Sequence, residues 1–121
     1  MNQRALLLLL SIIILVACAS AADPAATVEQ YLQAKVNGDA ETIRALLCSE
    51  MEAVWEREAN SFQSVTGVQI EGMACARVGE TDTVSCQGRI IALYGAEQTE
   101  FPLVSYRVVE EGGEWKWCGE S

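Results

Sequence analysis

The chain has no histidine, few basic residues and no apolar run long enough to cross a membrane as a helix. Without histidine, the ordinary serine and cysteine catalytic triads and most catalytic zinc sites are excluded. Only 8 lysines and arginines stand against 17 acidic residues, a balance that repels phosphate backbones, so no nucleic-acid binding is expected. The longest apolar stretch, residues 5–16, is interrupted only by Ser11, but a spanning helix needs about 20 apolar residues.

The N-terminal segment is typical of a secretory signal peptide, because one cationic residue, Arg4, precedes a short apolar run. The run ends in Leu15-Val16-Ala17-Cys18, which resembles the lipobox of bacterial lipoproteins. In that family the cysteine thiol receives a diacylglyceryl group and the preceding peptide bond is cut. The resemblance implies a signal peptide over 1–17, a lipid on Cys18 and a short tether over 18–22. It implies an exported protein that a lipid anchors to a bacterial cell membrane.

Two other interpretations of this segment stay open. An ordinary signal peptide cut within residues 19–22 would remove Cys18, because small residues also suit that peptidase. An uncleaved anchor would require a longer run and a strongly basic flank. Two acyl chains on Cys18 would give stable membrane attachment, whereas one chain alone holds a protein only marginally.

Beyond the predicted signal peptide, residues 18–121 have the length of a single domain. Loss of Arg4 leaves 7 basic and 17 acidic side chains, a net charge of −10. A chain of this size buries roughly two-thirds of its unfolded surface, enough for one core without a metal or cofactor. We therefore predict one domain over 23–121 and no cofactor, and the sequence does not predict an oligomeric state.

Four cysteines remain after Cys18 is assigned to lipid: Cys48, Cys75, Cys86 and Cys118. In an exported protein an even set predicts two disulfides, with three connectivities open. A zinc site is the alternative, but the chain has neither a CxxC pair nor histidine, so no metal is expected.

Helical signals occupy the first part of the domain. Asp23-Pro24 predicts the start of a first helix and Asn37-Gly38 its end. Asp39 predicts the cap of a second helix. The apolar residues of these two helices recur at helical spacing: Val28, Tyr31, Leu32, Val36, Ile43, Leu46 and Leu47.

A third helix is predicted to begin at Ser49, because Ser49 and Glu52 fit a capping box. Its apolar side would hold Met51, Val54, Trp55 and Ala59, and could extend to Phe62. Most of its charged residues would form a solvated face: Glu50, Glu52, Glu56, Arg57 and Glu58.

After about residue 61 the hydrophobic period becomes alternating, which predicts strands over 68–78, 83–94, 97–110 and 114–118. Pro102 indicates an edge position or a bulge in the third of these strands. If residue 78 pairs with residue 83 across the turn, Cys75 faces Cys86 within disulfide range. Cys48 would then pair with Cys118 by elimination.

Helices followed by an antiparallel meander predict an α+β domain, with N-terminal helices packed on a curved sheet of about four strands. This layout is similar to the nuclear transport factor two-like, or cystatin-like, superfamily of cone-shaped domains. The local matches are Val28-Glu29-Gln30-Tyr31-Leu32, Asn37-Gly38-Asp39 and the stretch from Tyr106 to Cys118. The four cysteines depart from the family pattern, because most members lack them.

In that superfamily the helices and sheet enclose a pocket, and some members are enzymes such as ketosteroid isomerases. The resemblance makes five aromatic residues candidates for pocket lining: Tyr31, Trp55, Tyr94, Tyr106 and Trp115. Core packing explains the tryptophans equally simply. No spacing in the sequence places a carboxylate base opposite an oxyanion donor.

The sequence therefore does not decide whether the chain is an enzyme, and it favours a non-catalytic lipoprotein. Such a domain would bind a small apolar ligand or an envelope protein. The alternatives are a small pocket enzyme of the ketosteroid-isomerase type and a purely structural interaction module. Fold alone does not select among them.

Overall fold

The computed structural model describes residues 23–121, and the predicted signal peptide, the tether and Cys18 lie outside the described residues. No helix within residues 23–121 is both long enough and apolar enough to cross a bilayer. The described chain forms helices first and strands afterwards. The elements are α1 (Pro24–Asn37), α2 (Ala40–Leu46), a 3₁₀ helix (Ser49–Val54), α3 (Trp55–Ala59), β1 (Thr66–Arg77), β2 (Thr83–Tyr94), β3 (Glu97–Pro102), β4 (Ser105–Glu111) and β5 (Glu114–Glu120).

Helix α1 has the caps that the sequence predicts. The Asp23 carboxylate accepts a hydrogen bond from the Ala25 amide at 3.0 Å, and a proline occupies the first helical position. At the other end Gly38 adopts the left-handed conformation with φ 65°, which glycine reaches without a Cβ penalty. The predicted apolar face is buried, at Val28, Tyr31, Leu32 and Val36.

Two predictions about the third helix are wrong: that Ser49 caps its start, and that Glu58 lies on its solvated face. Ser49 does not cap it, because the Ser49 amide and hydroxyl both donate to the Glu111 carboxylate of β4, each at 2.8 Å. The segment forms a 3₁₀ helix and then the short α3. Glu58, predicted on a solvated face, is buried at 5% exposure because α3 turns this residue toward α1.

The five strands form one antiparallel sheet in the order β1-β2-β4-β5, with β3 also paired to β2. The α+β class and the curved antiparallel sheet are confirmed. The predicted strand over 97–110 is two strands, because Ile90 pairs with Phe101 whereas Val84 pairs with Tyr106, a one-residue offset between the two ladders. Pro102 ends β3 at this break.

The pairing of β1 with β2 is interrupted by a bulge where Gly72 and Gly88 lie next to each other. The pairing register shifts between Glu71 and Ala74, and a Cβ on Gly88 would lie 2.6 Å from the Glu71 carbonyl oxygen. Only glycine permits this close backbone approach. Beyond the bulge Ala74 is exposed and Cys75 is half-buried. The half-buried positions of β1 therefore change from even-numbered residues before the bulge to odd-numbered residues after it.

Both disulfides are present. Cys75 pairs with Cys86 in the predicted register, with their Cα atoms 4.1 Å apart, so the register prediction is confirmed. The Cys48–Cys118 bridge joins the segment after α2 to β5 across 70 residues of chain. The first bridge fixes a hairpin, whereas the second fixes the helices to the sheet.

Candidate functional site

A cavity of about 190 Å³, which we call the mouth cavity, lies between α1, the segment after α3, and strands β2 to β5. It opens to solvent beside Phe101, which is 39% exposed. Its apolar walls come from elements far apart in the sequence: Leu32, Phe62, Ile90, Phe101, Leu103 and Trp117. Polar atoms contribute nearly half of its exposed lining, so the cavity combines apolar walls with polar groups that could orient a ligand.

Local geometry places these walls. Leu32 lies one helical turn before Lys35, so both reach the same side of α1. Ile90 pairs directly with Phe101 across the β2–β3 ladder, which puts both side chains on one face of the sheet. The sheet face and the end of α1 therefore enclose the cavity together.

Three polar side chains also line the mouth cavity: Lys35, Tyr106 and Glu120. Tyr106 and Glu120 are directly paired across β4 and β5. Burial raises the pKa of Tyr106, and the nearby Glu120 charge acts in the same direction. Glu120 itself is exposed, so this carboxylate meets water.

Beneath the cavity lies a buried polar cluster of Tyr31, Lys35 and Glu58. The Tyr31 hydroxyl donates to Glu58 Oε1 at 2.7 Å, and Lys35 Nζ lies 3.3 Å from the same oxygen. Burial raises the pKa of Tyr31 well above its usual value, and the hydrogen bond to Glu58 adds to this rise. The carboxylate is thus compensated by a cation and a hydroxyl, as a buried charge requires.

Trp117 joins the polar cluster to the mouth cavity. Its ring stacks on Tyr31 with centroids 4.0 Å apart, and Lys35 Nζ lies 5.8 Å from the Trp117 ring centroid. The buried Trp117 Nε1–H has no hydrogen-bond partner within residues 23–121. The ring is held by packing on both neighbours, so the cavity has one rigid aromatic wall.

A second depression, the α2 cleft, has a volume of about 260 Å³ and includes Arg44, Leu47, Trp55 and Glu111 in its lining. The Arg44 guanidinium lies 5.2 Å from the Trp55 ring centroid and occupies that aromatic face. Hydrogen bonds from the Ser49 backbone amide and hydroxyl lower the pKa of Glu111. Arg44 and Glu111 therefore already have partners within the chain, whereas no side-chain partner of Glu52, which also lines the cleft, lies within residues 23–121.

The donor atoms of Cys48, Glu50 and Cys118 lie within 4.8 Å of one another. Both sulfurs belong to one disulfide, and metals bind the thiolate form of cysteine. Glu50 in turn pairs with Arg107 at 2.8 Å. This group does not supply a metal-binding donor set.

The five predicted pocket-lining aromatics do not share one site. Tyr106 lines the mouth cavity, and Trp55 lines the α2 cleft. Tyr31 is fully buried beneath the cavity, and Tyr94 is 46% exposed near Phe101, with ring centroids 6.5 Å apart. Trp115 is half-buried under the guanidinium of Arg77.

Sequence reasoning missed Lys35 and Phe101 as cavity residues and Glu58 as the buried acid. Lys35 stands three residues after Leu32 on the predicted apolar face, which is a usable signal. Phe101 follows a glutamate in an edge strand and carries no such signal. The position of Glu58 depends on the path of a five-residue helix, α3, which periodicity cannot establish.

No protein-family model matches the chain, and no curated protein matches it. The mouth cavity offers apolar walls, one ammonium group, one phenol and one carboxylate. This set can hold an apolar molecule and orient a polar group on it.

Proposed function

We propose that the chain is an exported, lipid-anchored protein whose domain binds a small apolar ligand without catalysing a reaction. The observation that carries this proposal is the mouth cavity of about 190 Å³. An engineered apolar cavity of about 150 Å³ in another protein binds benzene. The ligand would therefore have about the size of one ring or a short branched chain.

The polar groups at the cavity supply orientation. Lys35 is already paired with Glu58, so its ammonium is held in place and still borders the cavity. A ligand with one hydrogen-bond acceptor would direct it toward Lys35 and keep its apolar part against Leu32 and Ile90. The Trp117 ring, which already stacks on Tyr31, would border the ligand without stacking on it.

The lipobox-like Leu15-Val16-Ala17-Cys18 and the two disulfides support export and acylation at Cys18. The tether would join the domain at Asp23, where α1 begins, whereas Lys35 at the cavity lies near the end of α1. Twelve helical residues separate them by about 18 Å. The cavity would then lie toward the opposite end of α1 from the lipid tether.

A second candidate is a small pocket enzyme, favoured by Tyr106 and Glu120, which line the cavity as neighbours. A general base of this kind needs a desolvated carboxylate, but Glu120 is exposed. The buried acid, Glu58, already accepts from Tyr31 and Lys35 and does not line the cavity. Binding therefore fits the geometry better than catalysis.

Native mass spectrometry of the full protein, purified from its producing cell in lipid nanodiscs, tests both halves of the proposal. We expect a diacylglyceryl mass on Cys18 and a small molecule retained without a covalent bond. Cys18→Ala should lose the acyl mass and membrane attachment. Full processing and membrane binding of Cys18→Ala would refute the anchor, and a cavity that retains no molecule and takes up no added apolar compound would refute the ligand.

A further inference from the structure

The outermost strands of the sheet differ in what covers them. At β1 the Cys75 amide donates to the Glu29 carboxylate of α1 at 3.1 Å. At β5 the Cys48 amide donates to the Trp117 carbonyl at 2.9 Å. Along β3, by contrast, no hydrogen bond from residues 23–121 reaches the backbone on the side away from β2.

The ladder identifies the open groups of β3. The Leu103 amide donates to the Gly88 carbonyl at 2.9 Å, next to the Arg89–Pro102 pair. Because antiparallel residues alternate between facing their partner strand and facing away, Gln98, Glu100 and Pro102 face away from β2. Proline has no amide hydrogen, so the open edge offers two N–H donors and three carbonyl acceptors.

The side chains beside this edge are apolar on one face. Phe101 and Tyr94 are exposed by 39% and 46%, and their rings are in edge contact. Phe101 also borders the mouth cavity and contacts Phe62 edge-on. A strand added next to β3 would place every second side chain beside Phe101.

The charge of the edge is acidic. Glu97 and Glu100 are both exposed within the six residues of β3, which contains no basic residue. Arg89 on β2 contacts Glu100 at 3.7 Å but also Glu71 at 3.0 Å. Because alternate residues of a strand share a face, Glu97 lies on the Phe101 face and Glu100 on the opposite face. An added strand with lysine or arginine on the Glu100 face would gain electrostatic complementarity there.

We propose that the open edge of β3 binds an extended segment of a partner protein in which apolar and basic residues alternate, so that the segment becomes a sixth strand. The apolar residues pack on Phe101 and Tyr94, and the basic residues meet Glu100 on the opposite face of the sheet. A second copy of this chain is a poor occupant, because it would bring the same carboxylates together. Strand addition gives affinity through main-chain hydrogen bonds and specificity through alternate side chains.

The test uses the full protein in nanodiscs and three synthetic octapeptides, with hydrogen exchange read by mass spectrometry. The first peptide alternates lysine and valine, the second has the same sequence with an N-methyl group on every amide, and the third replaces lysine with glutamate. We expect the first peptide to slow exchange in the fragment over 96–103 about tenfold. The second and third should leave this fragment unchanged.

Equal protection by the N-methylated peptide would overturn the proposal, since that peptide cannot pair as a strand. Absence of protection by the first peptide would also overturn it. Protection that appears without peptide and grows with protein concentration would assign the edge to a second copy instead.

Charge variants separate the edge from the acidic surface as a whole. Glu100→Gln should weaken binding of the lysine–valine peptide about fivefold. Glu80→Gln makes the same change in net charge at an exposed position outside β3, and it should weaken binding less than about twofold. Equal weakening by both variants would reduce the interaction to non-specific charge attraction and contradict the proposal.

Discussion

Two regions differ in how completely their polar groups and strand edges are partnered: the contacts that join the helices to the sheet, and the surroundings of the mouth cavity and β3. On the helix-covered side a disulfide joins Cys48 to Cys118, and Glu58 is matched by Tyr31 and Lys35. Around the mouth cavity an open volume remains, two aromatic rings are exposed, and the outer edge of β3 has no backbone partner within residues 23–121. The stabilising contacts therefore lie apart from the open groups on which the proposed binding would depend.

The largest expected effect belongs to the helix-covered side. Cys48→Ala with Cys118→Ala opens a loop of 70 residues, and on a chain-entropy estimate this lowers the free energy of unfolding by about 4 kcal/mol. Cys75→Ala with Cys86→Ala opens a loop of 11 residues and should cost about 3 kcal/mol. Urea unfolding without reductant measures the free energy of unfolding of both double variants. A larger decrease for Cys75→Ala with Cys86→Ala would contradict the prediction that the Cys48–Cys118 bridge contributes more.

Tyr31→Phe tests the polar cluster. Removing a buried hydrogen bond to a carboxylate should cost about 2 kcal/mol at neutral pH. A matched change at Tyr106, whose hydroxyl accepts only a long bond of 3.4 Å from the Val104 amide, should cost less. Equal decreases in the free energy of unfolding for Tyr31→Phe and Tyr106→Phe would contradict a larger stabilising contribution from the Tyr31–Glu58 hydrogen bond.

The same variant should change the alkaline limb of stability. Burial, and then the bond to Glu58, raise the pKa of Tyr31 in the folded state, so the folded protein keeps this proton when the unfolded chain releases it. The stabilisation is therefore complete below about pH 10 and is lost as the pH rises above that value. Wild type should lose stability there by up to about 1.4 kcal/mol per pH unit more than Tyr31→Phe. Identical slopes in urea titrations would contradict this.

Much of the fold follows from local signals. The caps at Asp23 and Gly38 are set by neighbouring residues, and the turn after Val78 fixes the hairpin register that brings Cys75 to Cys86. Such short-range geometry is readable from spacing. The Cys48–Cys118 bridge then follows by elimination.

The mouth could not be read in this way, since it depends on how separate elements meet. Phe101 reaches the cavity because the predicted third strand divides after Pro102 and shifts by one residue. Glu58 is buried because α3 packs near Tyr31, although the two residues before it, Glu56 and Arg57, are charged and exposed. Tertiary packing decides these positions, and no periodicity in the sequence records them.

Leu103→Trp and Leu47→Trp test whether the mouth cavity holds the ligand. Both leucines are 7% exposed. Leu103 lines the mouth cavity and Leu47 lines the α2 cleft, so each tryptophan enlarges a side chain beside an open volume at a similar cost in stability of about 1–3 kcal/mol. Native mass spectrometry then measures how much of the molecule retained by wild type remains on each variant. We predict that Leu103→Trp loses the retained molecule and that Leu47→Trp keeps it. Equal retention by both variants, or loss only from Leu47→Trp, would contradict binding in the mouth cavity.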